Sequence, residues 1–218
     1  MNINDVLEPL EKPENMLEAI FKHQHALALK YLPIEKSNGL LLTDNVPVNI
    51  HNNRGQARLK DMTWRCVEEI AEAFEAAQKA EYLHFYEEMA DAMHFLVELC
   101  ILADVYPSCE GNFDDLENHF DRAKTYQPVD GEHLDHEALQ IYGMDFVVQA
   151  GLACNCLKNK PWKTTHMMTD TEKFNKCLRH AFTSFIELCK VSGFTAWGLY
   201  QMYMRKHEVN VFRQRSGY

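Results

Sequence analysis

Three features that the 218-residue chain lacks narrow the classes of protein it can belong to. No apolar run approaches the ~20 residues of a membrane-spanning helix, so we expect no membrane partner. Lysines and arginines number 22 against 32 aspartates and glutamates, a net charge of -10 that argues against a nucleic-acid partner. Neither GxxxxGK[ST] nor GxGxxG occurs, which disfavours nucleotide binding of the P-loop or Rossmann type. A small phosphorylated substrate stays compatible with the acidic charge, because a bound metal ion inverts the local field.

The seven cysteines form neither a disulfide framework nor a zinc finger in this pattern. Their number is odd and most of them lie within apolar helical patterns. The polar, acidic N-terminus is unlike a secretory leader. Cys154 and Cys156 have no second pair at zinc-finger spacing. We therefore expect reduced, buried thiols and a cytoplasmic protein.

The spacing of apolar residues predicts helices and no convincing strand pair, so the expected fold class is all-α, a bundle of four or five long helices. Pro33 is expected to end the first helix, and residues 34–56 are expected to form a loop long enough for a ligand-covering role. One domain, 1–218, is expected to hold all of them, with a possible polar insertion at about 106–135. The predicted helices span about 14–32, 57–80, 83–105, 136–157, 170–191 and 196–208.

Two acidic pairs lie in the second and third predicted helices. Glu69 and Glu72 are three residues apart, and so are Glu88 and Asp91. This spacing places both members of a pair on neighbouring positions of one helix face. Two antiparallel helices would therefore aim four carboxylates into one space.

The second pair is the more informative, because its helix is apolar nearly all round and is therefore expected to be buried. Buried carboxylates are costly unless they are paired or bind a metal ion. Ligands that are all oxygen favour Mg²⁺ or Mn²⁺ over zinc. Whether the first pair, Glu69 and Glu72, also binds a metal ion stays open. Glu68, Glu72 and Glu75 share one stripe of the helix, with Glu69 at its edge, and such a pattern also fits a solvated face.

Two motifs and the C-terminal tail resemble a known family. Residues 68–72 (EEIAE) and 87–91 (EEMAD) resemble the EExxE…EExxD signature of the all-α nucleoside triphosphate pyrophosphatases, which include the MazG-type enzymes and the dimeric dUTPases. Residues 91–95 (DAMHF) are similar to the D-x-x-H-F of the dimeric dUTPase branch. The tail resembles its pattern K-N-x-x-N-x-x-R-Q-x-x-G-Y at six positions: Lys206, Asn210, Arg213, Gln214, Gly217 and Tyr218.

The resemblance implies an all-α pyrophosphatase bundle, a homodimer and a Mg²⁺ site with two or more ions. The implied metal ligands are Glu69, Glu72, Glu88 and Asp91, with Glu72 also activating the attacking water. The implied activity is hydrolysis of a deoxynucleoside triphosphate, dUTP above all, to the monophosphate and pyrophosphate by attack on the α-phosphate.

The resemblance also implies a substrate site, which would bind the phosphates with Lys206 and Arg213 and the base or sugar with Gln24 and Asn210. Gln214 and Tyr218 complete the implied set of substrate-binding residues. His94 has two interpretations, a residue that orients a metal ligand or a hydrogen-bonded core histidine.

Departures from the family pattern keep the choice of base open. After the first acidic pair the family has a segment rich in tryptophan and lysine, whereas here this segment contains a single lysine, Lys79. In the tail, His207 stands where the family has asparagine. The alternatives are the same chemistry on dCTP, dTTP or a modified pyrimidine nucleotide, or a helical interaction protein that is not an enzyme.

Overall fold

Seven helices and one two-residue β pair form the regular structure in the computed structural model, which describes residues 10–39, 43–109, 112–125, 134–160, 162, 164 and 167–216. Strands β1 (Ser108–Cys109) and β2 (Asn112–Phe113) pair antiparallel. The all-α prediction is confirmed. The helices are α1 (Met16–Ser37), α2 (Asn53–Gln78), α3 (Tyr82–Ala103), α4 (Leu116–Arg122), α5 (His136–Cys156), α6 (Thr171–Val191) and α7 (Ala196–Ser216).

Short polar side chains fix where the helices begin. The side chain of Asp170 accepts a hydrogen bond from the Lys173 backbone N–H, and Thr195 Oγ1 accepts one from the Gly198 N–H at 3.0 Å. Asn52 caps α2 in the same way. Because each bond satisfies a backbone donor that the first helical turn leaves free, these caps set the helix starts.

The prediction that Pro33 ends the first helix is wrong, because α1 continues through it to Ser37. A proline inside a helix removes one backbone hydrogen bond, at a cost of about 3 kcal/mol. The extension brings Glu35 within 2.8 Å of Arg58 (Oε2 to Nη2), where the arginine side chain is nearly buried. This ion pair and the packing of α1 offset the cost.

The last helix is longer than predicted, since α7 runs to Ser216 instead of ending near residue 208. No proline interrupts this stretch of sequence. The Tyr31 hydroxyl on α1 donates to the backbone carbonyl of Asn210 at 3.3 Å and ties the two helices together. The tail that carries the family pattern is therefore helical up to Ser216.

Helix α3 is the central element of the bundle. Residues 79–81 join it to α2, and α1 and α7 also pack against it. Its apolar side chains are almost completely buried, with Met89, Met93, Leu96 and Val97 at most 1% exposed. Burial of side chains of this size contributes about 1.5–3 kcal/mol each. The core thus holds α3 at a fixed rotation, and with it the acidic residues that α3 carries.

Residues from the predicted insertion pack onto the second helical hairpin, α5–α6. Leu116 and Phe120 of α4 are buried, and Lys190 Nζ on α6 donates to the backbone carbonyls of Phe120 and Ala123 at 2.7 and 3.0 Å. Residues 110–111 and 126–133 of this segment lie outside the described part of the chain.

All the cysteines whose side chains the structure describes carry free thiols, as predicted. Burial raises the pKa of Cys100 to about 12, so this thiol stays protonated. Among the described helices, none is both long and apolar enough to cross a membrane.

Replacing Gly55 by alanine is expected to destabilise the protein, because a Cβ there would lie 2.1 Å from the backbone oxygen of Asn49. We expect a loss of about 1–3 kcal/mol in the free energy of unfolding, measured by urea titration with circular dichroism. Gly151→Ala is the matched control, since a Cβ at that helical position meets nothing within 4 Å. Because alanine favours the helix more than glycine does, this variant should gain roughly 0.5–1 kcal/mol in the free energy of unfolding. Equal stability of the two variants would contradict this account of the start of α2.

Candidate metal centre and nucleotide cleft

Three carboxylates from two helices meet at one point of the structure. Glu69 comes from α2, and Glu88 and Asp91 come from successive turns of α3. One oxygen of each residue lies within 4.8 Å of the others. Glu88 is only 7% exposed, and Glu69 and Asp91 are partly buried. Three carboxylate oxygens at this separation are a donor set that suits Mg²⁺ or Mn²⁺.

The protonation of the cluster reflects its crowding. Burial, a hydrogen bond with Glu88 and the charges of Asp91, Glu88 and Glu72 together raise the pKa of Glu69 to about 8. Burial likewise raises the pKa of Asp91, although the Lys206 ammonium opposes that rise. The raised pKa of Glu69 and the Lys206 ammonium beside Asp91 thus reduce the acidic charge in this structure, and His84 Nδ1 lies 3.0 Å from Glu88 Oε1. A divalent cation can take over this role.

Glu72, the fourth predicted ligand, does not belong to the three-residue cluster. It lies one turn beyond Glu69 on α2, with its side chain exposed to solvent. Its charge still acts on the cluster, since it contributes to the raised pKa of Glu69. The structure therefore brings together three of the four predicted ligands and places Glu72 beside them with access to water.

A cleft of about 360 Å³ opens next to the carboxylates. It joins residues from three distant parts of the sequence, namely the first helix, the acidic hairpin and the tail. Such a volume fits the range of small-molecule sites. The predicted site residues that line the cleft are Gln24, Glu69, Asp91, His94, Asn210 and Arg213.

The tail supplies positive charge to this acidic region. Lys206 Nζ on α7 lies 2.6 Å from Asp91 Oδ2, and both side chains are largely buried. The charge of Arg213 also lowers the pKa of Asp91. Gln214 is half-buried and is not among the residues that line the cleft. Tyr218 and Gly217 lie outside the described residues.

Gln24 is buried in the wall of the cleft, and both ends of its amide are hydrogen-bonded. Its Nε2 donates to Glu98 Oε2 at 3.1 Å, and its Oε1 accepts from the Tyr203 hydroxyl at 2.9 Å. The side chain is only 4% exposed. These contacts give the amide a single, fixed position on α1.

His94 is a buried histidine that bonds to its own helix. Its Nδ1 lies 2.8 Å from the carbonyl oxygen of Ala90, an acceptor, so Nδ1 carries the proton. The ring stacks on Tyr203 at a centroid distance of 3.9 Å, and burial lowers its pKa to about 3. Among the described residues no carboxylate bonds to the ring, which favours a hydrogen-bonded core histidine over a residue that orients a metal ligand.

Sequence reasoning missed an ion-paired group at the wall of the cleft, which Glu35 and Glu98 line. Arg58 Nη2 lies 2.8 Å from Glu35 Oε2 and 3.6 Å from Glu98 Oε1. Glu98 follows Asp91 by seven residues and therefore lies on the same face of α3. This spacing could have predicted from the sequence that Glu98 lies near the site. Glu35 was missed because the prediction ended α1 at Pro33 and placed residue 35 in a loop. Further cleft residues that were missed are Tyr31, Arg65 and Phe95.

A comparison with models of known protein families matches residues 74–218 to the family described as dUTPase. The match includes the second acidic pair and the tail, and begins after Glu69 and Glu72. It confirms the resemblance inferred from those motifs. No curated protein and no solved structure matches the chain.

Removing one of the crowded carboxylates is expected to stabilise the metal-free protein. The pKa of Glu69 is raised from its ordinary value of 4.5 to about 8 in the folded protein. The destabilisation that its charge causes therefore grows as the pH rises above 4.5, and it is complete above about pH 8. At pH 8.5 in EDTA, Glu69→Gln should therefore raise Tm by about 2–4 °C, roughly 1 kcal/mol for a domain of this size. Glu69→Gln should also abolish most of the stabilisation by added Mg²⁺.

Glu68→Gln is the control for this measurement, since it removes a charge from the neighbouring, exposed position of α2. It should leave both Tm and the Mg²⁺ response close to those of the unmodified protein. If Glu69→Gln and Glu68→Gln behave alike in EDTA and in Mg²⁺, the three carboxylates do not form a cation site.

Proposed function

Since the chain belongs to the dUTPase family and is thus an enzyme of the dUTP diphosphatase class, we propose that it hydrolyses dUTP to dUMP and pyrophosphate in a Mg²⁺-dependent reaction. One observation carries the proposal. Three carboxylates from α2 and α3 lie within 4.8 Å of one another at the edge of a cleft lined by polar residues of α1 and α7. A site for metal ions and a site for a nucleoside therefore adjoin.

The metal ligands in this proposal are Glu69, Glu88 and Asp91, joined by Glu72 from the next turn of α2. Their oxygens suit Mg²⁺, with Mn²⁺ as a substitute, and four carboxylates have the capacity for two or more ions. Bound Mg²⁺ would polarise the phosphates and make a water molecule more acidic. Glu72 then takes the proton from the water that attacks the α-phosphate, a role that suits an exposed carboxylate beside the cluster.

Lys206 and Arg213 bind the phosphates in the proposed complex. In the metal-free protein Lys206 is held by Asp91, with 2.6 Å between Nζ and Oδ2. A cation on Asp91 would replace the lysine as its counter-charge. The ammonium would then be available to a phosphate oxygen, and the guanidinium of Arg213 offers paired donors to another.

The nucleoside end of the proposed substrate contacts Gln24 and Asn210, whose side chains offer both donors and acceptors. Both residues line the cleft, on α1 and α7. Gln214 and Tyr218 of the tail complete the proposed binding set, with His94 in the wall beside the base or sugar.

The same chemistry on dCTP, dTTP or a modified pyrimidine nucleotide is the second candidate. His207 keeps this candidate open, because it stands where the family tail has asparagine and is buried against His23, with 5.1 Å between the ring centroids. Lys79 also differs in role, since it pairs with Glu75 on the exposed side of α2 and does not line the cleft.

We further propose a homodimer that forms through α5. Apolar residues recur on the outer face of this helix, where Ile141 and Met144 are 60% and 63% exposed and Val148 and Leu152 are also exposed. Their spacing of three or four residues places them in one stripe. A second copy of the chain would bury this stripe. We expect a single cytoplasmic domain with residues 106–135 as an insertion, and neither nucleic acid nor membrane as a partner.

The first test is pyrophosphate release from a panel of deoxynucleoside and nucleoside triphosphates with Mg²⁺. We expect dUTP to be the preferred substrate, and EDTA to abolish turnover. Glu72→Gln should lower kcat by roughly 10²–10⁴-fold, because it removes the proposed base, while leaving the helical circular dichroism unchanged. Glu68→Gln should keep normal turnover as the matched control.

Each outcome of this panel has a meaning. Preference for another pyrimidine would keep the metal chemistry and reject dUTP as substrate. Normal turnover by Glu72→Gln would reject that residue as the base. Absence of release from every substrate would leave the acidic cluster as a binding site without activity.

The proposed α5 interface is tested by introducing charged side chains into its apolar stripe. Met144→Glu combined with Val148→Glu places two carboxylates in the exposed stripe and should shift the mass in solution from twice 25.4 kDa to 25.4 kDa. Light scattering after size-exclusion chromatography measures this mass. Gln78→Glu adds a charge at an exposed position of a different helix, α2, and should leave the dimer intact. Equal masses for all three proteins would contradict the proposed interface.

A further inference from the structure

The amide of Gln24 is held from both sides by buried side chains. Glu98 on α3 accepts from its Nε2 at 3.1 Å, and the Tyr203 hydroxyl on α7 donates to its Oε1 at 2.9 Å. The Tyr203 ring is itself fixed, since it is fully buried and stacks on His94 with an interplanar angle of 11°. Three helices thus converge on one amide group.

The carboxylate of Glu98 determines which way this amide points. An ionised carboxylate only accepts hydrogen bonds, so the nitrogen of the amide must face Glu98 and the oxygen must face Tyr203. Burial raises the pKa of Glu98, while the Arg58 guanidinium and the Gln24 N–H oppose that rise. Arg58 Nη2 lies 3.6 Å from Glu98 Oε1, close enough to favour the ionised form.

The orientation leaves one defined group for a ligand. The Oε1 atom is engaged by Tyr203 and one Nε2 hydrogen by Glu98, and no acceptor for the second Nε2 hydrogen occurs among the described residues. Gln24 lines the cleft, so this second N–H is the donor that its amide has left for a ligand there. A donor recognises a carbonyl oxygen and opposes an amino group, because two donors facing each other leave both unsatisfied.

We propose that Glu98 is a positioning residue that turns the Gln24 amide so that its free N–H selects a pyrimidine with a carbonyl at position 4 over one with an amino group there. The inference rests on the proposed function, and it adds the residue that sets the direction of the Gln24 amide. Arg58 supports the arrangement through Glu98, and Glu35 holds Arg58 from the other side.

The test compares dUTP and dCTP as substrates of the full-length protein with Mg²⁺. Glu98→Gln replaces an obligate acceptor by an amide that both donates and accepts, so Gln24 is free to take either orientation. We expect the ratio of kcat/KM for dUTP to that for dCTP to fall by roughly 10–100-fold. The change should appear in KM, with kcat for dUTP within about threefold, because the carboxylate cluster is untouched.

Tyr203→Phe is the matched control, because it removes the other partner of the amide and keeps Glu98. The substrate ratio should then change by less than about threefold. A loss of discrimination in Tyr203→Phe but not in Glu98→Gln would overturn the assignment of Glu98. Loss of folding is not expected in Glu98→Gln, since Arg58 keeps Glu35 at 2.8 Å as its partner.

A second measurement on the unmodified protein covers the case in which Glu98→Gln fails to fold. The side-chain ¹⁵N–H₂ signals of Gln24, assigned with Gln24→Met, should respond to dUMP with a shift of one of the two protons and should not respond in this way to dCMP. The same response to both nucleotides, or to neither, would overturn the inference.

The outcomes separate the inference from the proposed function. Turnover of dUTP by the unmodified protein with an unchanged ratio in Glu98→Gln rejects the inference alone. Equal turnover of dUTP and dCTP by the unmodified protein also rejects it, while the diphosphatase chemistry stands. Absence of turnover and of nucleotide binding rejects both.

Discussion

The repulsion among Glu69, Glu88 and Asp91 is the constraint on which the rest of the structure depends. When all three carboxylates are ionised, their repulsion at oxygen separations within 4.8 Å opposes the packing of α2 against α3. The raised pKa of Glu69 and the Lys206 ammonium beside Asp91 reduce this repulsion. The apolar core of α3 overcomes this opposition, because most of the side chains on that helix are buried. The protein thus uses hydrophobic packing to hold an arrangement that electrostatics alone would separate, as sites built for cations commonly require.

Helix α7 links the two ends of the cleft. Tyr203, Lys206, Asn210 and Arg213 follow one another at intervals of three or four residues, so they share one face of the helix. Tyr203 contacts Gln24 of α1, and Lys206 contacts Asp91 of the acidic cluster. Since a rigid helix carries both contacts, their separation is constant. The continuation of α7 to Ser216 is therefore part of how the site is built.

The sequence predicted the parts of the site that depend on local patterns. Glu88 and Asp91 stood out because the residues around them are apolar, and this contrast survives in the structure. The position of Glu69 stayed open on a helical wheel, since rotation by a fraction of a turn decides between the cluster and the solvent, and only the packing against α3 settles that rotation. The prediction that Pro33 ends α1 was wrong because it counted only the backbone hydrogen bond that a proline removes from a helix. The tertiary contacts of Glu35 and of α1 outweigh that loss.

The contacts that join Gln24, Glu98 and Tyr203 could not be predicted in the same way. They connect residues 74 and 179 positions apart, and no periodic pattern on one helix indicates which side chain of another helix will meet it. Each of the three has an ordinary explanation alone, a polar residue on an amphipathic helix. Their significance appears only when the three helices pack.

In the proposed complex, the distribution of charge around the cleft favours one orientation of the nucleotide. Lys206 contacts Asp91 of the acidic cluster, while Gln24 and Arg58 contact Glu98, which lies seven residues, about 10 Å, further along α3. A triphosphate brings several negative charges to one end of the ligand and a neutral base to the other. Cations held by Glu69, Glu88 and Asp91 would attract the phosphates, whereas the buried carboxylate of Glu98 would repel them. In the proposed complex the base therefore reaches Gln24 only when the phosphates lie at the carboxylates, so a single binding orientation aligns base selection with the reacting bond.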